Sequence, residues 1–307
     1  MEAQQSVLSP AGPDAEATTA LSWIMFGGGA MIFLGVVFVA LIAYRGSETW
    51  RRRISSDAFI FYAGIVFPTV TLVALLIYGL MLTGARVMAT EADALRIEVV
   101  GEQWWWRVKY TGTEAVTANE IRLPVGRQAE IKLSSADVIH SFWVPNLAGK
   151  VDMIPGVVNV IRLRAEKPGI YRGQCAEYCG GPHALMAFHV VALEPAEFEG
   201  WLAHQRQPAL SPANALQRQG AALFMSKGCN ACHAIRGTRA NGVIGPDLTH
   251  VGGRTSLAAA TLPNDERSLG RWIRDNQHIK PNNRMPPFGI LTDDELSALT
   301  AYLGGLQ

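Results

Sequence analysis

The order of apolar and polar positions divides the chain into unlike stretches. Residues 21–44 carry no charged side chain. At about 1.5 Å per residue they would form roughly 36 Å of helix, enough for a hydrocarbon core of about 30 Å. Residues 58–83 form a second uncharged run, in which Pro68 predicts a kink. Together they predict a transmembrane helix hairpin over 21–84. From 94 to 194 the pattern changes to short alternations of apolar and polar residues, at 95–100, 120–124, 130–133 and 157–164, separated by turn residues. Short strands at such spacing predict an all-β sandwich or barrel. Residues 195–205 read as a short closing helix with Pro195 in its first turn. A Gln-, Pro- and Ala-rich linker occupies 206–214. Helical periodicity returns at 215–227, and a last helix starts at Thr292, where Glu295 completes a capping box.

Charge orients these pieces. Arg45, Arg51, Arg52 and Arg53 crowd the loop 45–57 between the two spans, and the positive-inside rule places that loop in the cytoplasm. Both chain ends then lie on the opposite side. Trp23, Tyr44, Trp50 and Tyr62 sit near the span ends, as interfacial aromatics do. Residues 1–20 hold three acids and no Lys or Arg, so we expect an extracytoplasmic tail without the basic start of a secretory leader. Neither span carries an ionisable residue, so proton chemistry would fall to a partner. A net charge of +1 offers no electrostatic attraction to nucleic acid, and 49% hydrophobic residues fit a membrane protein.

The four cysteines form two pairs, each inside a short motif, which points to cofactor chemistry rather than a disulfide framework. In the first, Cys175, Cys179, His183 and Met186 offer two thiolates, an imidazole and a thioether within twelve residues. That soft set suits copper, and the weak thioether argues against a closed zinc cage. His140, in the apolar run 137–145, is the candidate for the missing ligand. The second motif, Cys229-Asn-Ala-Cys232-His233, is the attachment signature of c-type haem. A thioredoxin-like pair would need a βαβ context and a zinc knuckle a second Cys/His pair, and both are absent. Met285, in Asn-Arg-Met-Pro-Pro, is the candidate sixth ligand, with His278 as a weaker rival; His/Met ligation raises the iron potential and closes the iron to oxygen. Met153, Met225 and His189 read as packing residues.

A lone His followed by Cys-x-Glu-x-Cys-x3-His-x2-Met, with 101–106 and 150–156, resembles the copper A domain of subunit II of haem–copper oxidases. Residues 212–307, including Gly245-Pro246-Asp-Leu, resemble class I cytochromes c. The resemblance implies a multidomain chain: a tail (1–20), the transmembrane hairpin (21–84), a cupredoxin-like sandwich (85–205), the linker (206–214) and an all-α cytochrome c domain (215–307). It implies a dinuclear copper centre held by Cys175, Cys179, His140 and His183, with Met186 and the Glu177 carbonyl as weak axial ligands. It also implies a magnesium or manganese ion at the Glu177 side chain where a catalytic subunit docks, and haem c bonded to Cys229 and Cys232 with His233 and Met285 as axial ligands. By the same resemblance Pro246 orients His233, Trp104 stands at the electron-input position over the copper, and Asp137 helps to dock soluble cytochrome c.

The function so implied is electron input to a cytochrome c oxidase of a bacterial inner membrane, with the N- and C-terminal parts on the periplasmic side. Electrons would pass from cytochrome c or an upstream respiratory complex, through haem c and copper, to the haem–copper site of subunit I, where oxygen is reduced with proton pumping. Subunit III and other subunits would complete the assembly. The chain itself would transfer electrons only. Two alternatives share the residues: the input subunit of a copper A nitric oxide reductase, and a membrane-anchored carrier without a catalytic partner.

Overall fold

The computed structural model describes residues 5–86 and 91–307. Two apolar helical segments form one unit. Helix α1 spans Pro13–Arg45, and the second segment runs through α3 (Asp57–Phe61), a π-helical turn (Tyr62–Val66) and α4 (Phe67–Arg86). Both are long and apolar enough to cross a membrane. Their side chains are exposed all round, Phe26 to 74% and Phe33 to 66%, which only an apolar surrounding tolerates. The feature expected at Pro68 is the widened π turn just before it. Proline has no N–H to offer the preceding turn and its ring crowds the carbonyl four residues back, so the helix opens there. The arginine-rich connection is partly helical, with α2 at Glu48–Ile54.

Helix α1 starts at Pro13, within the stretch expected as a tail. Proline is preorganised for a first helical turn, and the acids Asp14 and Glu16 favour a helix N-terminus. The residues ahead of it are fastened to the β domain. Asn146 Nδ2 donates to Ser9 O at 2.7 Å, Ala11 N to Asn146 O at 2.8 Å and Glu166 N to Ala11 O at 2.8 Å. A Cβ at Gly12 would collide with Arg164 O, so the chain can approach this closely only as glycine.

Ten strands build the sandwich: β1 (Leu95–Glu102), β2 (Trp105–Tyr110), β3 (Val116–Ala118), β4 (Glu120–Pro124), β5 (Ala129–Ser135), β6 (His140–Trp143), β7 (Val151–Met153), β8 (Asn159–Leu163), β9 (Gly169–Cys175) and β10 (Ala187–Leu193). They form two sheets, ordered β3-β2-β1-β5-β8 and β4-β10-β9-β6-β7. In β1, Leu95, Ile97 and Val99 alternate inward, as the sequence pattern requires. The Tyr110 hydroxyl on β2 bridges to β4 of the other sheet, donating to Arg122 O at 3.0 Å and accepting from Arg122 N at 2.8 Å. Helix α5 (Pro195–Gln205) closes the domain with Phe198 and Leu202 buried.

The C-terminal domain packs α6 (Ala215–Ser226), α7 (Glu266–Ile279) and α8 (Asp293–Gly304) around Phe224, Leu269, Ile273, Leu299 and Tyr302. The Thr292–Glu295 capping box opens α8. Helices α6 and α8 cross at Gly220, where a Cβ would collide with Ala298 O. A two-stranded hairpin, β11 (Ser256–Leu257) and β12 (Leu262–Pro263), precedes α7.

This domain sits on the sandwich, and the border explains why β10 is buried along six consecutive residues rather than on alternate ones. The core-facing side of β10 packs inward, and its outer side meets the C-terminal domain. His189 Nδ1 lies 3.0 Å from Thr255 Oγ1, and Ala187 N donates to Ala259 O at 3.3 Å. The buried Glu120 carboxylate accepts from Thr255 N at 2.7 Å and from Arg122 Nε at 2.7 Å. Arg122, Arg107 and Arg236 each donate to a carbonyl across the border, those of Gly253, Val243 and Glu114. At the hairpin tip Ala258, Ala259 and Ala260 all have positive φ, 53°, 61° and 56°. Left-handed backbone costs an L-residue about 1–2 kcal/mol each, so the contacts made by this tip must offset it.

Replacing Gly220 by Ala should wedge the α6–α8 crossing apart. We expect a loss of about 1–3 kcal/mol in the chemical unfolding of the C-terminal domain. Stability within about 0.5 kcal/mol of the parent, the range of ordinary surface changes, would show that the crossing can yield.

Candidate metal centres

The sulfur cluster is built at one end of the second sheet. Strand β9 ends at Cys175, the loop to β10 carries Glu177, Cys179, His183 and Met186, and His140 opens β6 beside β9. Cys175 Sγ lies 3.7 Å from Cys179 Sγ, 3.8 Å from His140 Nδ1 and 3.2 Å from Glu177 O. Cys179 Sγ lies 3.4 Å from His183 Nδ1 and 3.8 Å from Met186 Sδ. The other four predicted donors therefore converge on this pair of sulfurs. Cys175, Cys179, Met186 and His140 are buried, whereas the Glu177 and Tyr178 side chains are exposed.

Local packing sets this geometry. The imidazole of His140 has no room for a Cβ at Gly101, which would approach its Cδ2 to 2.8 Å. Trp106, Phe142 and Phe188 form an aromatic floor, with Trp106 centred 5.0 Å from Phe188 and 6.1 Å from His140. Asp137 then fixes the ring from the far side, its Oδ1 2.9 Å from His140 Nε2. With Nε2 donating there, Nδ1 keeps its lone pair for a metal. Asp137 also accepts from Gln103 N and Val138 N, each at 2.7 Å. Burial raises its pKa, but those bonds and His140 outweigh burial and hold the carboxyl below its usual range. Both of its oxygens are turned inward to backbone N–H groups and His140. Burial pulls His140 down, yet its bonds to Cys175 and Asp137 leave it raised.

The two thiols titrate as a pair. The bond from Cys179 draws the Cys175 thiol well down, and the same bond, with burial and the Cys175 charge, pushes Cys179 up. Without a cation the pair thus holds one shared proton, because two thiolates this close repel. A soft cation removes that repulsion, and two thiolates, two imidazoles, a thioether and a carbonyl are a donor set that fits copper.

Trp104 is buried beside the cluster, with Nε1 donating to Cys179 O at 2.9 Å. Gln103 Nε2 donates to the same carbonyl at 2.9 Å.

In the C-terminal domain Cys229 and Cys232 are unpaired and half-buried at the end of α6. His233 Nδ1 lies 2.8 Å from Pro246 O, which leaves Nε2 free to take a ligand position. Burial, the largest influence, lowers the His233 pKa and keeps the ring neutral. A Cβ at Gly245 would press on that ring at 2.5 Å from Cε1. Two free thiols beside an oriented neutral imidazole fit covalent haem. The Met285 loop is held by α7: Gln277 Nε2 donates to Met285 O at 3.0 Å, Asn276 Nδ2 to Pro286 O at 3.1 Å, and Met285 N to Asn283 Oδ1 at 2.9 Å. His278 is exposed.

Two border residues escaped sequence reasoning. Glu120 looks like an ordinary polar strand position, and Lys280, just before Pro281, like a basic helix end. Both are buried, to 3% exposure. Only knowledge of which surfaces the domains share could have singled them out.

Replacing Asp137 by Ala should free the His140 ring. We expect copper affinity, measured by competition with a chelator, to fall about 10–100-fold. Unchanged affinity would mean that the aromatic floor alone orients the ring.

Comparison with known proteins finds matches to both domains. Residues 115–193 match the family described as cytochrome c oxidase subunit II, periplasmic domain, and 217–307 match cytochrome c. Cytochrome c oxidase subunit 2 of Alkalihalophilus pseudofirmus is 32% identical over all of this chain and 92% of that protein. The Bacillus subtilis protein of the same description is 31% identical over 98% of this chain and 92% of its own length. Among solved structures, the periplasmic domain of cytochrome oxidase subunit II from Bradyrhizobium japonicum is 32% identical, covering 38% of this chain and 96% of that one, with a TM-score of 0.36. The two domains imply copper A and haem c respectively, and the chain belongs to the family of cytochrome c oxidase subunit II, in a form that carries a cytochrome c domain after the copper domain.

Proposed function

We propose that this chain carries electrons from a donor, through haem c on Cys229 and Cys232, to a dinuclear copper centre on Cys175 and Cys179, and on to subunit I of a proton-pumping oxidase in a bacterial inner membrane. The observation that carries this reading is the convergence of four further donors on two sulfurs 3.7 Å apart. Two thiolates at that spacing can be shared by two metal ions. His140 and His183 stand on opposite sulfurs, and both, with Met186 and Glu177 O, would hold the copper there. His233 and Met285 would hold the haem iron. The two groups, when bound, supply one-electron transfer with no substrate bond made or broken.

What the chain itself does is hold still. Gly101, Trp106 and Asp137 fix His140 before any metal arrives, and Pro246 and Gly245 do the same for His233. Donors fixed in advance move little when charge changes, and small rearrangement favours fast transfer at small driving force. The aromatic floor and the burial of both sulfurs keep water off the centre. The exposed Glu177 side chain, adjoining a ligand carbonyl, suits the face toward subunit I and a magnesium or manganese ion there. With the arginine-rich connection in the cytoplasm, the soluble domains lie on the periplasmic side, where cytochrome c or an upstream complex is the donor and where subunit III and the remaining subunits complete the assembly.

The test uses the oxidase complex purified through this chain. Its oxidised EPR spectrum should show copper hyperfine structure from one electron shared over two nuclei, and Cys179→Ser should remove that pattern and abolish oxygen consumption with reduced cytochrome c. A four-line mononuclear pattern, or oxygen consumption that survives Cys179→Ser, would contradict the reading.

A further inference from the structure

The border between the two domains contains a buried lysine. Lys280 follows the end of α7, its side chain is buried, and among the described residues no carboxylate pairs with it. Its Nζ instead donates to three backbone carbonyls: Trp104 O at 2.5 Å, Leu185 O at 2.9 Å and Ala258 O at 3.4 Å. Three acceptors match the three N–H groups of an ammonium. Two of them belong to the copper domain and one to the left-handed tip of the β11–β12 hairpin.

A buried cation is a poor way to gain stability, since an apolar side chain of similar volume fills such a place without losing hydration. Burial drives the Lys280 pKa down to about 7, against a smaller opposing pull from Cys179. What the ammonium provides and an apolar group cannot is direction: it fixes three carbonyls from two domains around one point.

Those carbonyls are next to the ligands. Trp104 donates through Nε1 to Cys179 O, and Leu185 directly precedes Met186. On the other side Asn283 Nδ2 donates to Lys280 O at 2.7 Å, and Met285 N to Asn283 Oδ1 at 2.9 Å. An unbroken chain of hydrogen bonds and covalent bonds thus runs from Met285 through Asn283, Lys280 and Trp104 to Cys179. The flanking contacts point the same way. The other two carbonyls of the hairpin tip accept from the copper domain, Ala259 O from Ala187 N and Ala260 O from Arg172 Nη1 at 3.0 Å.

We propose that Lys280 is the positioning residue for electron transfer between the haem and copper domains, its ammonium clamping the Met285 loop and the left-handed hairpin tip onto the backbone of Trp104 and Leu185. This rests on the electron-input reading above. The clamp holds the haem segment in one place over the copper ligands, and it covers Trp104, so a soluble donor meets the haem domain rather than the copper domain.

The test compares the parent complex with Lys280→Met and Lys280→Gln in the full chain. The first readout is hydrogen exchange at the border amides of Ala187 and Thr255, measured with and without copper. The second is the rate of haem-to-copper electron transfer after rapid reduction of the haem. For Lys280→Met we expect exchange at both amides to rise about tenfold while β1 and α8 stay protected. We expect the interdomain rate to fall about tenfold, as it would if the transfer-competent pose were occupied about a tenth of the time. Reduction of the haem by its donor and the methionine–iron absorbance should not change. Lys280→Gln, which keeps two N–H donors, should recover part of both losses, and it supplies the comparison if Lys280→Met does not assemble. Border exchange equal to the parent's in the variants would overturn the clamp. A parent complex that passes no electron between its domains would overturn the electron-input reading instead, and border exchange would then decide the clamp.

Discussion

Two sulfur atoms held 3.7 Å apart in a water-poor site are the constraint on which the rest of this molecule depends. Side by side, they cannot both be thiolates until positive charge arrives between them. The surrounding fold keeps them together regardless. Cys175 is fixed as the last residue of β9, and Cys179 by the short loop that must return the chain to β10. The aromatic floor beneath and Asp137 behind His140 leave the ligands few alternative positions. The sandwich is thus a frame that holds like charges at short range and lets a metal supply the missing attraction.

The second level of organisation is the border between the domains. Its bonds are largely from side chains to backbone carbonyls, with one carboxylate, Glu120, at the centre. Such contacts specify orientation closely because carbonyl directions are fixed by the strands and turns that carry them. Covalent linkage already gives the cytochrome domain a high local concentration at the copper domain. The border converts nearness into a particular pose, at the cost of three left-handed alanines and a buried ammonium.

The sequence made the fold class legible, and it singled out both candidate ligand sets, because each rests on local chemistry. Uncharged runs of membrane length, the alternation in β1, Cys-x-x-Cys-His and the compact Cys/His/Met cluster are all readable within a few residues. Pro246 and the Thr292–Glu295 box were equally local. The hold of Asp137 on His140 was not legible, because its sequence neighbourhood does not show that Gln103 N, 34 positions away, turns it inward. The start of α1 at Pro13 was missed because hydropathy marks where a membrane begins and not where a helix does. Lys280 and Glu120 had no sequence signal at all. A buried charge is indistinguishable from an exposed one until the surface that covers it is known, and here that surface lies in another domain.

The most direct test of this account is the dipolar distance between the oxidised haem and the oxidised copper centre in frozen solutions of the complete oxidase, read by pulsed EPR. A fixed border predicts a single narrow distance distribution, unchanged when the protein is frozen with or without a soluble donor. A broad or multiple distribution would contradict it and would mean that the cytochrome domain moves on its linker, reaching the copper domain only in passing.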